Sequence, residues 1–404
     1  MGKKKKISSD GITVGQVEKL GKNRKRHLIA VSALSMIIFF AILIYFAIMT
    51  VFSEKATFSE LENRNLKKFP KFSSEELFSG DYTEGLEEYT ADHFFGRDFF
   101  VKLKTYCDLA VGKHERNGVY ILGDRLVQRV DEPDSGRIDK SIEGINKFAA
   151  DNDVPVFVMI APTAGDIYSD ELPYGAPMLD QKQFIENVYS RLDSSISAID
   201  VYSALSLNRD NYIYYRNDHH WTSAGAYSAY AAAGKKMGYT PVPLTSYDIE
   251  HASYDFKGTL YSSALYDNIE ADTIDYYHCI DGYNVTGEYV TKGLGEEPEV
   301  YDSIYLRDYL SVKDKYSSFT GSNQPLVTVK TDCPGGKLLI IKDSYAHSYL
   351  PFLTQHYSEI TMFDLRYVQI SYKDIIDVSD YDQVLFLYNA ATFTTDDNLK
   401  KLCY

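Results

Sequence analysis

Four cysteines in 404 residues are few, and none forms a Cys-x-x-Cys pair. The ligand spacing of a structural zinc site is therefore missing. Tryptophan occurs once, as Trp221, and histidine nine times. There is no internal repeat, and no low-complexity tract beyond the run Lys3-Lys4-Lys5-Lys6. Positive charge is concentrated at the start. Residues 1–27 carry nine Lys or Arg against Asp10 and Glu18, a net of +7; with −15 overall, the remainder carries −22. So acidic a soluble part argues against nucleic acid as a partner.

What is present suits a globular protein: 45% hydrophobic and 25% charged residues. The length allows one large or two modest domains. Thirty-five tyrosines fit either contact with sugars or other wet, semi-apolar surfaces, or a plain compositional habit. Residues 28–52 form an uncharged run of twenty-five. At about 1.5 Å per residue it spans the ~30 Å hydrocarbon core with some tilt. A signal peptide has a shorter apolar region, about 7–15 residues, and a small-residue cleavage site that is lacking here. The run is expected to be an uncleaved transmembrane helix. The basic flank keeps residues 1–27 in the cytoplasm and puts residues 53–404 outside, as in a single-pass plasma-membrane protein. A disulfide is allowed there, with Cys279–Cys333 the expected pair.

Residues 53–115 read as a juxtamembrane helical segment, with apolar residues at three- and four-residue spacings. Beyond Gly112, strands and helices alternate. Strands are expected at 119–122, 154–160, 198–201, 338–341, 360–363 and 384–388, and helices at 138–150 and 184–196. Thr222 or Ser223 can N-cap a further helix that runs to Met237, with Gly238 at its C′ position. Such alternation implies an α/β domain, residues 116–404, with a mostly parallel sheet and helices on both faces. Residues 244–330 break the rhythm and read as an inserted β-rich lobe.

Two stretches carry chemistry. In Asp218-His219-His220-Trp221, residues i and i+2 share a side if the backbone is extended; on a helix they would diverge by about 200°. An extended Asp218 could then orient His220 and stabilise its protonated form. His219 would face the other way, as a structural hydrogen-bonding group. Adjacent histidines facing apart make an awkward metal site, so no metal is expected. Ser344 follows the apolar run 338–341. Parallel sheets place ligands beyond the C-terminal ends of their strands. A serine opening a helix there sits among free N–H donors suited to an oxyanion. An N-cap serine is the structural alternative. Asp343 is a candidate brace, or a strand-end carboxylate.

The run Tyr215-Arg216-Asn217-Asp218-His219-His220-Trp221-Thr222, followed by Gly225-Ala226-Tyr227, resembles the signature of the DHHW protein family. Lys342-Asp343-Ser344-Tyr345, Phe363-Asp364-Leu365-Arg366-Tyr367 and Leu387-Tyr388-Asn389 resemble its later motifs. Glu62-Asn63-Arg64, Phe69-Pro70 and the stretch from Asp92 to Arg97 match its juxtamembrane part. The likeness covers roughly residues 55–395. The metal-dependent DHH phosphoesterases share the letters Asp-His-His, but their further upstream motifs are missing. The DHHW family is similar to the alginate O-acetylation proteins AlgJ and AlgX, which have SGNH-hydrolase-like domains.

The resemblance implies a three-layer α/β/α SGNH-hydrolase-like fold and acetyl transfer to an exported or cell-envelope polysaccharide. Ser344 would be the nucleophile, His220 the general base and Asp218 its orienting carboxylate. His219, Trp221, Asp343, Arg366 and Asn389 would support the site or bind substrate. Trp221 could stack on sugar rings or pack the histidine loop. Arg366 could bind a carbonyl or a sugar, or pair with Asp364. No cofactor is required. The implied partners are the polysaccharide and a membrane-bound O-acyltransferase (MBOAT) that delivers acetyl groups. Departures exist. SGNH hydrolases place Asp-x-x-His after the serine, whereas here Asp-x-His precedes it. Lys342 stands where Gly is usual, and the block supplying oxyanion-hole Gly and Asn is not visible. A carbohydrate esterase or deacetylase with the same triad, and a non-catalytic polysaccharide-binding scaffold, remain as alternatives. The triad reading requires Ser344 Oγ within hydrogen-bond reach of His220; a separation on the order of 10 Å would contradict it.

Overall fold

The computed structural model describes residues 14–404. The lysine run and Asp10 lie outside the described residues. The chain divides into two compact units: the described residues through Ser59 together with Arg64–Val101, and Glu60–Asn63 with Lys102–Tyr404.

The first unit opens with the helix Val14–Phe52. Its segment Glu18–Phe52, 35 residues with a mean hydropathy of 2.7 in its most apolar window, is long and apolar enough to cross a membrane. A signal sequence near an N-terminus meets the same criterion. After it, the helix Asp81–His93 holds the buried Asp92. That carboxylate accepts from Arg64 at 2.9 and 2.5 Å and from the Lys67 amide at 2.9 Å. The hydrogen bond from Arg64 overcomes partial burial and lowers Asp92 to about 2.

The second unit is built on an eight-stranded sheet. In chain order its strands are β1 (Val156–Ala161), β2 (Ser197–Ile199), β3 (Val285–Thr291), β4 (Glu299–Tyr301), β5 (Leu326–Thr331), β6 (Lys337–Lys342), β7 (Glu359–Phe363) and β8 (Gln383–Asn389). Across the sheet they run β4-β3-β5-β7-β6-β8-β1-β2. The five strands from β7 to β2 are mutually parallel; β5, β3 and β4 add antiparallel pairings at one edge. The stretch 244–330 thus contributes strands to the main sheet as well as a separate pair, Tyr247–Phe256 with Asp272–Cys279.

Period-two alternation divides the central strands between two cores. Leu338, Ile340, Leu385, Leu387 and Met159 pack with Ala229, Tyr230 and Met237 of the helix Ser223–Met237 and with Tyr349 and Leu353 of the helix Ala346–Leu353. Leu339, Ile341, Val384, Phe386 and Val158 face the other way, onto Ile142, Ile145 and Phe148 of the helix Ser135–Asp151 and Ile185 and Val188 of the helix Gln181–Ser190. The expected helix 184–196 is therefore shorter and earlier. It ends at the Arg191 cap, and beyond it Asp193 accepts the Ser195 amide in a local turn at 2.9 Å. Thr222 caps its helix through the Gly225 amide, and Gly238 ends it at φ +82°. All four cysteines are free, so the expected Cys279–Cys333 bridge is not formed.

One buried acid stands apart. Glu288 in β3 is fully buried, and neither carboxylate oxygen has a hydrogen-bond partner among the described residues. Burial raises it from 4.5 to about 8. A raised folded-state value contributes stability at low pH that is lost as pH rises through it. Unfolding free energy should therefore fall by about 1.4 kcal/mol per pH unit between the ordinary and raised values. Urea titrations over that range should show this slope in the wild type and lose it in Glu288→Gln.

Candidate functional site

Asp218, His219 and His220 sit on a tight loop. Tyr214 and Trp221 form an antiparallel bridge. The Tyr215 amide donates to the His220 carbonyl at 3.3 Å, and the Thr222 amide to that of Ile213 at 3.0 Å. Residues 216–220 between them are bent, not extended. This corrects the premise of the spacing argument. Asp218 reaches His220 because its carboxylate folds back over the loop: Oδ1 accepts from the His220 backbone amide at 3.0 Å and from Nδ1 at 2.5 Å. The same bend brings the two imidazoles together, with centroids 3.9 Å apart, where an extended chain would have separated them. Gly225 makes the turn possible, since a Cβ there would lie 2.2 Å from the Ile213 carbonyl oxygen.

Two further groups fix the loop. The buried carboxylate of Asp272 accepts from the amides of Arg216 and Asn217 at 2.7 and 2.8 Å and from the Tyr212 hydroxyl at 2.5 Å. Burial pushes it up to about 6 despite these donors. Thr259 grips Asp218 Oδ2 through its amide at 2.8 Å and its hydroxyl at 3.1 Å. Gly258 leaves room for that approach: a Cβ would lie 2.1 Å from Oδ2. Burial opposes the Asp218 charge, but the flanking imidazoles and these donors hold it well below the ordinary carboxylate range.

Ser344 lies just past the C-terminal end of β6. The turn is set by Asp343, whose Oδ2 accepts from the Asn389 amide and side chain at 2.7 and 2.6 Å and whose Oδ1 accepts from the Tyr345 amide at 2.9 Å. The Asp343 amide donates to the Leu387 carbonyl at 3.0 Å. Burial raises Asp343, partly offset by Arg366 and these amides. The Ser344 hydroxyl meets His220 Nε2 at 2.6 Å. With Asp218 ionised, Nδ1–H donates to it and Nε2 accepts from the serine. Such a relay lets an imidazole withdraw a hydroxyl proton while a carboxylate stabilises the resulting cation.

The surroundings are aromatic. Tyr316 lies flat against His220, centroids 3.7 Å apart and planes 9° apart, and donates to the Ser344 carbonyl at 3.0 Å. Trp221 is fully buried and donates to the Tyr345 carbonyl at 3.1 Å; the Tyr345 hydroxyl donates to that of His219 at 2.7 Å. His219 Nδ1 lies 2.6 Å from the Thr259 hydroxyl. Arg366 is engaged by Asp364 at 2.8 and 2.6 Å. Lys342 is buried, donating to His347 at 2.7 Å and to Asp364 at 3.3 Å. Asn389 directs its side-chain donors at Asp343 and at Thr392, the latter at 2.8 Å. Potential ligand atoms of Asp218, His219 and His220 lie within 4.8 Å of one another, close enough for a cation. The hydrogen bonds, however, already commit both His220 nitrogens.

Sequence reasoning singles out neither Asp272 nor Thr259 nor Tyr316. Gly258 marks a turn beside Thr259, but nothing distinguishes Tyr316 among 35 tyrosines. The short Asp218–His220 bond should give a strongly downfield Nδ1 proton resonance. It should persist in Ser344→Ala, disappear in Asp218→Asn and move upfield in Gly258→Ala, checked by proton NMR with nitrogen-labelled histidine.

The sequence model of a family described as DHHW protein matches residues 110–363. Among solved structures, the chain is similar to a DHHW family protein from Eubacterium siraeum, with a TM-score of 0.60 and 26% identity over 72% of this chain and 96% of that one. It is similar in fold to Bacillus cereus PatB1, solved with a sulfonyl adduct, at a TM-score of 0.58 and 18% identity over 70% of this chain and 98% of that one. The O-acetyltransferase domain of Pseudomonas putida AlgJ is also matched, at 0.44 and 14%, over 70% of this chain and 95% of that one. No curated protein is matched.

Proposed function

The chain belongs to the DHHW protein family, and we propose that it is a membrane-anchored O-acetyltransferase acting on a cell-envelope or exported polysaccharide. One observation carries this reading: Ser344 Oγ, His220 and Asp218 form a continuous relay with links of 2.6 and 2.5 Å. His220 Nε2 takes the proton of Ser344 as Oγ attacks the carbonyl carbon of an acetyl ester or thioester. The leaving group departs with that proton, and an acetyl-serine forms. A sugar hydroxyl then attacks the acetyl carbon and gives its proton to His220, which returns it to Ser344 Oγ as the acyl–serine bond breaks. Asp218 holds the imidazole tautomer and stabilises its cation. The Ser344 amide, unused by any hydrogen bond among the described residues, is the candidate oxyanion donor.

The remaining parts of the reading follow the family and the physics of the chain. The two cores on either side of one sheet support the reading of a three-layer α/β/α SGNH-hydrolase-like domain, with Lys342 in place of Gly and Asp-x-His ahead of the serine as its departures. The apolar helix supports a single-pass anchor, with the basic N-terminus in the cytoplasm and residues 53–404 outside. There the donor would be an MBOAT partner, and no bound cofactor is required.

The test is incubation with a chromogenic acetyl ester, with and without a glycan acceptor. The wild type should release chromophore and acetylate the glycan. Ser344→Ala should lower chromophore release at least about a thousandfold. Release to water alone would identify an esterase; equal rates in wild type and Ser344→Ala would remove the catalytic reading.

A further inference from the structure

A groove of about 370 Å³ opens beside the relay, within the size range of small-ligand sites. Three of its lining residues each touch the relay or its brace. His219 lies against His220, Thr259 is bonded to Asp218, and Asn389 is bonded to Asp343. Thr392 also lines it, as do Gln128 and Arg129, which follow the buried Leu126 and Val127. Hydroxyl and amide side chains predominate. No Asp, Glu or Lys lines it among the described residues, and Arg129 is its one permanently charged side chain.

Resting on the acetyltransferase reading above, we propose that this groove is the acceptor site and that it selects a hydroxyl-rich glycan that is neutral or anionic, never cationic. Hydroxyls and amides can both donate to and accept from sugar hydroxyls. An ammonium-bearing sugar would meet Arg129 and find no carboxylate in the lining. Arg129 does pair with Asp131 at two points, Nε to Oδ1 at 2.9 Å and Nη2 to Oδ2 at 3.0 Å. Both partners are partly or largely exposed, so water screens the pair, and the Nη1 edge of the guanidinium, outside both contacts, can bridge to an acceptor carboxylate or hydroxyl. Gln128 and Arg129 thereby become specificity-determining residues. They place the sugar so that its attacking hydroxyl reaches the acetyl-serine in competition with water. The acetyl group passes from Ser344 Oγ to the sugar oxygen, the sugar proton goes to His220, and no other reactant is consumed.

The test uses the full chain in detergent or lipid, with a chromogenic acetyl ester as donor. The acceptors are a neutral, a carboxylate-bearing and an amine-bearing oligosaccharide of equal length. The readout is the ratio of acetyl transferred to glycan over acetyl released to water. The wild type should transfer to the first two at least about tenfold better than to the third, a difference of about 1.4 kcal/mol. Gln128→Ala should lower the ratio severalfold for both accepted glycans. Arg129→Gln should lower it most for the carboxylate-bearing one. Arg209→Gln, outside the groove, serves as the control and should leave the ratio unchanged. A burst of chromophore release with an unaltered ratio in both groove variants, or a preference for the amine-bearing glycan, overturns the groove assignment alone. A wild type that shows no Ser344-dependent burst overturns the acetyltransferase reading and the groove assignment with it.

Discussion

Buried carboxylates that are answered by backbone amides hold this site in shape. Burying an ionised carboxylate is costly unless each oxygen finds donors. Asp343 binds the end of one parallel strand to the end of its neighbour and sets the serine turn. Asp272 clamps the two residues ahead of the histidine loop. Asp218 is wrapped by its own loop on one side and by Thr259 on the other. Each anchors a segment that has no regular hydrogen-bond ladder of its own. The 2.6 Å contact between Ser344 and His220 depends on all three.

The parallel strands explain why the parts meet here. β6 and β8 lie side by side, and their C-terminal ends release Asp343-Ser344 and Asn389 next to each other. The helix Ser223–Met237 packs on the same core as the helix that follows Ser344, which fixes the histidine loop across from the serine turn. Trp221 and Tyr345 lock those two pieces through a buried indole hydrogen bond. Tyr316 then closes one face of His220. The imidazole is thus restrained by a carboxylate, a hydroxyl and a phenol ring, and little is left of its torsional freedom.

Much of this was legible in the sequence where local chemistry is strong. The apolar runs at 154–160, 338–341 and 384–388 correspond to buried parallel strands, and Thr222 and Gly238 bracket their helix. Asp218, His220 and Ser344 were distinguishable by residue type and placement, and they meet in space. The bend at 216–220 was not legible, because it depends on Asp272, over fifty residues away in sequence. For the same reason the sequence separated His219 from His220, whereas their rings are in contact. The stretch 244–330 was legible as β-rich but not in its pairing: its strands lack a clear period, and β5 pairs with β7 outside the stretch. Asn389 and Arg366 illustrate the limit of motifs, since their polar ends are turned onto Asp343 and Asp364.

If Ser344 carries the acyl group between donor and acceptor, an acetyl-serine must form when the acceptor is withheld. Rapid-quench peptide mapping by mass spectrometry, after mixing the protein with an acetyl ester in the absence of glycan, tests it most directly. An acetyl group on Ser344 is expected in the wild type, discharged when a glycan acceptor is added, and no acetylated Ser344 is expected in His220→Ala. Turnover of the ester with Ser344 unmodified at every quench time, or acetylation confined to another residue, would contradict it.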